Sequence, residues 1–320
     1  MYFYLIFYYG SLLSKAKIYS NLKASLVGLI LLNLFSNFLY CEDFKVWELE
    51  SFSYQVLNKG DPNFGGLSGI SMSDDGKFFV AISDRADYFK GRTIRDDTKK
   101  LVDLKILERG KILDSNGRAL SGKNTDSESI KRSKDDGYYV SFESNNRIMF
   151  HPKLSEPGQF LPKHVDFQRL RYNDGIEALA VNTSGQVYAI PEMPPNGDKF
   201  HPIYKFRENK WQLITTVQIG DDFKVSEAEF IDDQNLILLE RKFTFLDGFK
   251  IRIRRLIFDQ DKIKSTQILL ESDPWEFFNL EGLSKWQDEH GNTYITLVSD
   301  NQFSPLLKTE IREFQVVGEK

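Results

Sequence analysis

Residues 174–192 read DGIEALAVNTSGQVYAIPE: an acid, a short run of small and apolar residues, a polar Ser184-Gly185 turn, a β-rich run and a closing acid. The same order returns in GLSGISMSDDGKFFVAISDR (66–85), DSESIKRSKDDGYYVSFES (126–144), VSEAEFIDDQNLILLER (225–241) and LEGLSKWQDEHGNTYITLVSDN (280–301). Turn pairs such as Asp75-Gly76, Asp136-Gly137 and His290-Gly291 tolerate the positive φ of tight hairpins, so each segment predicts a β-hairpin. Taking Ser68, Glu128, Glu177, Glu227 and Glu281 as equivalent gives spacings of 60, 49, 50 and 54 residues, a period that belongs to repeat architectures. Helical periodicity is nowhere sustained.

Further strand candidates fill the intervals: 101–107, 203–207 with 211–219, and 251–258 with 265–270. Each repeat then becomes one four-stranded blade. After Asp300 only 309–317 reads as a strand, whereas the β-rich segment 44–56 precedes the first repeat. The expectation is therefore an all-β fold, a β-propeller of five four-stranded blades in one domain over residues 42–320, with the N-terminal strand closing the last blade. The alternative is a sixth, irregular blade within 89–123.

Residues 1–41 differ in kind. Lys15, Lys17 and Lys23 precede an apolar run from Ala24 to Tyr40, and charge resumes at Glu42 and Asp43. That layout predicts a signal peptide or N-terminal anchor, hence a periplasmic or secreted protein that meets a membrane only through this segment if it stays uncleaved. Cys41 is the one cysteine, which excludes an intramolecular disulfide and a thiolate cluster. Lys plus Arg total 42 against 46 Asp plus Glu, a net charge of -4, so no basic field invites nucleic acid.

Hairpin strands are antiparallel, so the residue entering the first strand lies beside the residue leaving the second. This places Glu128 beside Glu143, Glu177 beside Glu192, Glu227 beside Glu240 and Glu281 beside Asp300, with Ser68 beside Asp84. If these strands line the channel, nine carboxylates meet at one mouth. Like charges so crowded repel unless cations offset them, and a hard divalent ion with oxygen ligands, calcium above all, meets that need. The candidate metal set is Asp84, Glu128, Glu143, Glu177, Glu192, Glu227, Glu240, Glu281 and Asp300. Arg85, Arg147 and Arg241 stand near the acids; they either neutralise the ring or hold an anionic substrate.

The segments resemble the phytase-like domain family, described as having esterase-like activity of phytase and found in exported bacterial propellers. The residues that carry the resemblance are Gly66-Leu67-Ser68-Gly69-Ile70 with Ile82-Ser83-Asp84-Arg85; Asp126-Ser127-Glu128 with Ser141-Phe142-Glu143 and Arg147-Ile148; Gly175-Ile176-Glu177-Ala178-Leu179; Leu239-Glu240-Arg241; and Asn279-Leu280-Glu281-Gly282-Leu283. It covers about residues 60–305. One departure is Ile190-Pro191-Glu192, where proline interrupts ladder donation before the acid.

The resemblance implies a propeller and calcium-assisted phosphoester hydrolysis; the expected partner is a small anionic or ester substrate, and the expected state a monomer. Glu128, Glu177, Glu227 and Glu281 then serve as metal ligands or water activators, and Arg85, Arg147 and Arg241 as substrate contacts. The alternatives are a non-catalytic periplasmic propeller that binds a cation or ligand, and a propeller-type lactone hydrolase. Gly66-Leu67-Ser68-Gly69 lacks the G-x-S-x-G spacing of a serine nucleophile. His151, His164, His201 and His290 lack zinc-site spacing and read as surface residues.

Overall fold

The computed structural model describes residues 45–57, 64–171, 173–195, 197–304 and 306–318. The segment 1–41, with Cys41 and the signal-peptide reading, lies outside them. Among the described residues no helix is long and apolar enough to cross a membrane; the helical turns are two 3-10 pieces, Gly122–Asn124 and Val165–Gln168.

The segment Trp47–Leu57 forms β1. Blade 1 follows as β2 (Leu67–Met72), β3 (Phe78–Ser83), β4 (Asp87–Arg95) and β5 (Leu101–Lys111). Blade 2 is β6 (Ser127–Arg132), β7 (Tyr138–Phe142), β8 (Arg147–His151) and β9 (Gln159–Phe160); blade 3 is β10 (Ala178–Val181), β11 (Val187–Ile190), β12 (Phe200–Arg207) and β13 (Lys210–Gln218). Blade 4 is β14 (Lys224–Phe230), β15 (Asn235–Thr244), β16 (Gly248–Asp259) and β17 (Lys262–Glu271). Blade 5 comprises β18 (Leu280–Gln287), β19 (Thr293–Ser299) and β20 (Thr309–Gly318), completed by β1. The fold is thus a five-bladed propeller. The stretch 89–123 holds the outer strands of blade 1, so the sixth-blade alternative falls.

The first strands of the blades, β2, β6, β10, β14 and β18, touch one another in a closed ring around the axis. Between them the backbones approach closely: a Cβ on Gly69 would stand 3.0 Å from the Glu128 carbonyl, and one on Gly282 3.0 Å from the Ile70 amide. The core is divided among blade interfaces. Ile82 and Tyr88 pack on Ile130 and Phe142, Ile148 on Leu179 and Tyr204, Ile190 on Val225 and Leu238, Leu239 on Leu283 and Phe314, and Val298 on Leu67 and Phe89. Successive residues of a strand serve opposite faces, which is why Leu238 and Leu239 join different clusters.

Closure by β1 runs in antiparallel register with β20 from Trp47↔Gly318 to Leu57↔Thr309. Buried Glu313 fastens it. Its carboxylate accepts from Arg95 of blade 1 at 2.7 and 2.8 Å, from Ser53 at 2.7 Å and from the Trp286 indole at 3.1 Å.

Candidate functional site

At the end of the channel where β2, β6, β10, β14 and β18 begin, the inner hairpins carry an irregularity. Leu67 pairs with Ser83 and Gly69 with Ile82, leaving Ser68 unpaired; Glu281 is left out between Leu280↔Ser299 and Gly282↔Val298 in the same way. In blade 2 the gap falls between Ser127↔Phe142 and Ile130↔Val140 and contains Glu128. Such bulges re-aim a side chain. The acids leaving the second strands stand beside them, fixed by backbone bonds from Asp84 to Gly66, Glu143 to Asp126, Glu192 to Gly175 and Asp300 to Asn279, at 2.8 to 3.0 Å.

Asp126, Glu128 and Glu143 offer carboxylate oxygens that lie within 4.8 Å of one another. Among the described residues Glu128 and Glu177 have neither a side-chain hydrogen bond nor an ion pair. Burial first, and then repulsion from Glu281, Glu143 and Asp126, holds the Glu128 carboxyl well above its ordinary range; burial and then Glu128, Glu192 and Glu143 do the same to Glu177. Burial pushes Glu143 up to about 7, opposed by the Gly175 amide that donates to it at 3.0 Å. Burial also raises Glu281 to about 7 against the pull of Arg241, and Asp84 and Asp300 to about 6. The buried Asp84 Oδ1 has no hydrogen-bond partner.

Blade 4 answers with cations. Arg241 contacts Glu281 and Asn279 and reaches Glu192 at 3.4 Å, while Lys224 bridges Asp174 at 3.0 Å and Glu192 at 2.8 Å. Arg85, exposed at the blade 1 side, stacks its guanidinium over Phe303 at 3.5 Å.

Blade 4 departs from the register expected of Glu227 and Glu240. Lys224 pairs with Arg241 and Val225 with Glu240, while Ser226 is the bulged residue, so Ser226 is the counterpart of Glu128, Glu177 and Glu281, and Arg241 that of Glu143 and Asp300. Glu227 sits one position deeper in the channel, where its carboxylate accepts from Ser129 Oγ at 2.8 Å, the Ala228 amide at 2.9 Å and the Leu179 amide at 3.2 Å, with Lys131 Nζ 3.5 Å away. Its counterparts in register, Gly69, Ser129, Ala178 and Gly282, are small and leave it room. Glu240 points to the opposite face of its strand, between Arg254 at 2.7 Å and Arg252 at 3.5 Å. A one-residue slip in register exchanges faces, so neither glutamate belongs to the mouth.

Arg147 is buried against Phe142 at 4.0 Å, donating to the Asn124 carbonyl at 2.6 Å rather than to a ring carboxylate. His151 and His201 are buried, not surface residues; His201 Nε2 lies 3.0 Å from the Glu192 carbonyl, and burial lowers both imidazoles to about 4. Asp126, Asp174, Lys224 and Asn279 join the mouth as well, none of them among the nine acids and three arginines expected there. The signal for Lys224 was present: Leu67, Ile176, Val225 and Leu280 are the apolar residues just before Ser68, Glu177, Ser226 and Glu281, and aligning on them sets blade 4 in register.

A family model described as phytase-like, with esterase-like activity of phytase, matches residues 62–303. Among solved structures, the chain is similar to the PQQ-bound form of aldose sugar dehydrogenase from Streptomyces coelicolor, at 12% identity over 82% of this chain and 98% of that one, with a TM-score of 0.46. It is also similar to the WD40 repeats of RRP9, at 9% identity, 83% and 100% coverage and a TM-score of 0.42, and to U3-55K, at 9%, 81% and 98%, and 0.42. No curated protein matches.

Proposed function

This chain belongs to the phytase-like family, described as having esterase-like activity of phytase, and on that premise we propose that its carboxylate mouth binds calcium and hydrolyses small phosphoesters. The observation that supports this most directly is the convergence of Asp126, Glu128 and Glu143 within 4.8 Å, where Glu128 has no cation paired to it. An all-oxygen set of this charge suits calcium, which takes about six to eight oxygen ligands. Asp84, with its unpartnered oxygen, and Asp300 extend the donor set from neighbouring blades.

Bound calcium supplies Lewis-acid polarisation of a phosphoryl oxygen. Glu177, whose carboxyl is held above its ordinary range, is assigned the proton taken from an attacking water and returned to the alcohol oxygen as its bond to phosphorus breaks. Arg241 and Lys224 bring positive charge to the phosphoryl oxygens, and Arg85 does so from the other rim. We place the protein outside the cytoplasm, exported through segment 1–41 and acting as a monomer. Phosphate release from phytate and an aryl phosphate, measured after chelation and after calcium is restored, is expected to follow calcium. Zero turnover by fully calcium-loaded protein would sink the reading.

Arg241's ties to Glu281, Glu192 and Asn279 favour a second reading, in which the ring and its ion lock blades 3, 4 and 5 together without catalysis. Glu177→Gln separates the two: an enzyme loses turnover at little change in melting, whereas a structural site loses its calcium-dependent melting shift.

A further inference from the structure

Beside the mouth lies a cleft of about 550 Å³ whose floor includes Glu192, Lys224 and Arg241 and whose wall is Phe243, Phe249 and Trp275. The wall is built by the end of blade 4. Strands β15 and β16 run past the ring, pairing Phe243 with Phe249 and Thr244 with Gly248, and the two phenyl rings meet with centroids 4.8 Å apart. Trp275, in the connection to blade 5, is 65% exposed, and its backbone has φ +65. Its amide donates to the Phe249 carbonyl at 3.3 Å. The indole lies on Gly248, itself at φ +64, where a Cβ would come within 2.5 Å of the ring.

A left-handed backbone is unfavourable for a bulky residue, and such outliers concentrate at ligand clamps. Exposing an indole also forgoes the burial that an aromatic ring normally contributes. Here both occur at one residue, over a glycine that leaves space for the ring, in a cleft whose charged lining is Lys224, Arg241 and Lys242 with Glu192 and Asp222. We propose that this wall is a preorganised platform for a planar aromatic group of the substrate, whose anionic end lies against Lys224 and Arg241. The substrate class is then an aryl or heteroaryl phosphomonoester. This rests on the phosphoester reading above and adds which part of the substrate is recognised away from the phosphorus.

The test compares phenylphosphonate with cyclohexylphosphonate, equal in size but only one of them planar, by calorimetry with calcium present. The expected result is a preference of about 10-fold for the phenyl compound, the scale of one aromatic stack. That preference should be lost in Trp275→Leu, retained in Trp275→Phe, and lost in Gly248→Ala, which keeps the indole in the chain but displaces it. Equal affinities in the wild type, or a preference that survives Trp275→Leu, overturn the platform while leaving the phosphoester reading standing. The neutral pair phenol and cyclohexanol distinguishes the other failure: if neither phosphonate binds, the phosphoester reading falls and with it the substrate class, even where a Trp275-dependent preference for phenol remains.

Discussion

Glu128 and Glu240 are both glutamates of inner hairpins, and their surroundings are opposite. Glu240 is enclosed between blades 3 and 4 with Arg254 and Arg252 on its carboxylate, and the arginines continue to the Gln218 and Ile219 carbonyls. Glu128 stands at the channel mouth among Glu281, Glu143 and Asp126, with Arg241 as its main electrostatic relief. A buried charge that is fully paired holds blades in place; a group of carboxylates left short of cations is unfavourable until a ligand supplies the missing charge. The difference separates architecture from site more sharply than burial does.

The largest expected effect comes from breaking the paired cluster. Glu240→Leu leaves Arg254 and Arg252 without their shared carboxylate and is expected to cost about 3–5 kcal/mol of stability by urea denaturation. A cost well under 1 kcal/mol would remove the contrast. At the mouth the sign reverses: Glu128→Gln, which cannot ionise at a position where burial and neighbouring acids already oppose ionisation, is expected to leave metal-free protein as stable as the wild type or more so, and to reduce the calcium response. In the wild type, calcium at about 100 times its dissociation constant adds about 2.7 kcal/mol, read as a melting shift. Glu227→Gln, one position deeper, should keep that shift; its loss would return Glu227 to the ring.

A last test, on pH, sharpens the comparison. Glu143 and Glu281 titrate at about 7 in the folded protein against 4.5 for an ordinary glutamate. Between those values the folded state holds more protons than the unfolded one, so this contribution to stability falls as pH rises. The mouth of the metal-free protein therefore contributes a gain in stability from pH 7 down toward 4.5, read as the part of the slope that Glu143→Gln removes, since His151 and His201, lowered to about 4, contribute the opposite trend; calcium is expected to flatten the mouth's part. A denaturation series in chelator whose slope Glu143→Gln leaves unchanged contradicts the electrostatics of the mouth.

Much of this was legible in residue order. The turn pairs and β-rich runs marked the inner hairpins, and the lone strand after Asp300 together with the segment before Gly66 predicted the closure that β1 makes. Glu128, Glu177, Glu281 and Asp300 were recognisable because each flanks a hairpin in the same way. Blade 4 is not legible in the same way: Glu227 and Glu240 look like the acids of the other repeats, although Ser226 and Arg241 occupy their places.

The sequence by itself determined the repeat, the closing strand and the presence of an acid-rich end, since these follow from local turn chemistry and from a pattern that recurs along the chain; the choice of five blades over six waited on the strands of 89–123 joining blade 1. Only the tertiary structure decided which acids face the axis and which are paired. Side chains alternate with period two, so one bulged residue sends a glutamate to the opposite face without altering composition or spacing in any way a pattern detects. The cations that silence Glu240 come from the next strand of its blade, and those that relieve Glu192 and Glu281 come from a neighbouring blade; which carboxylates remain unneutralised is settled when the five blades meet around one axis.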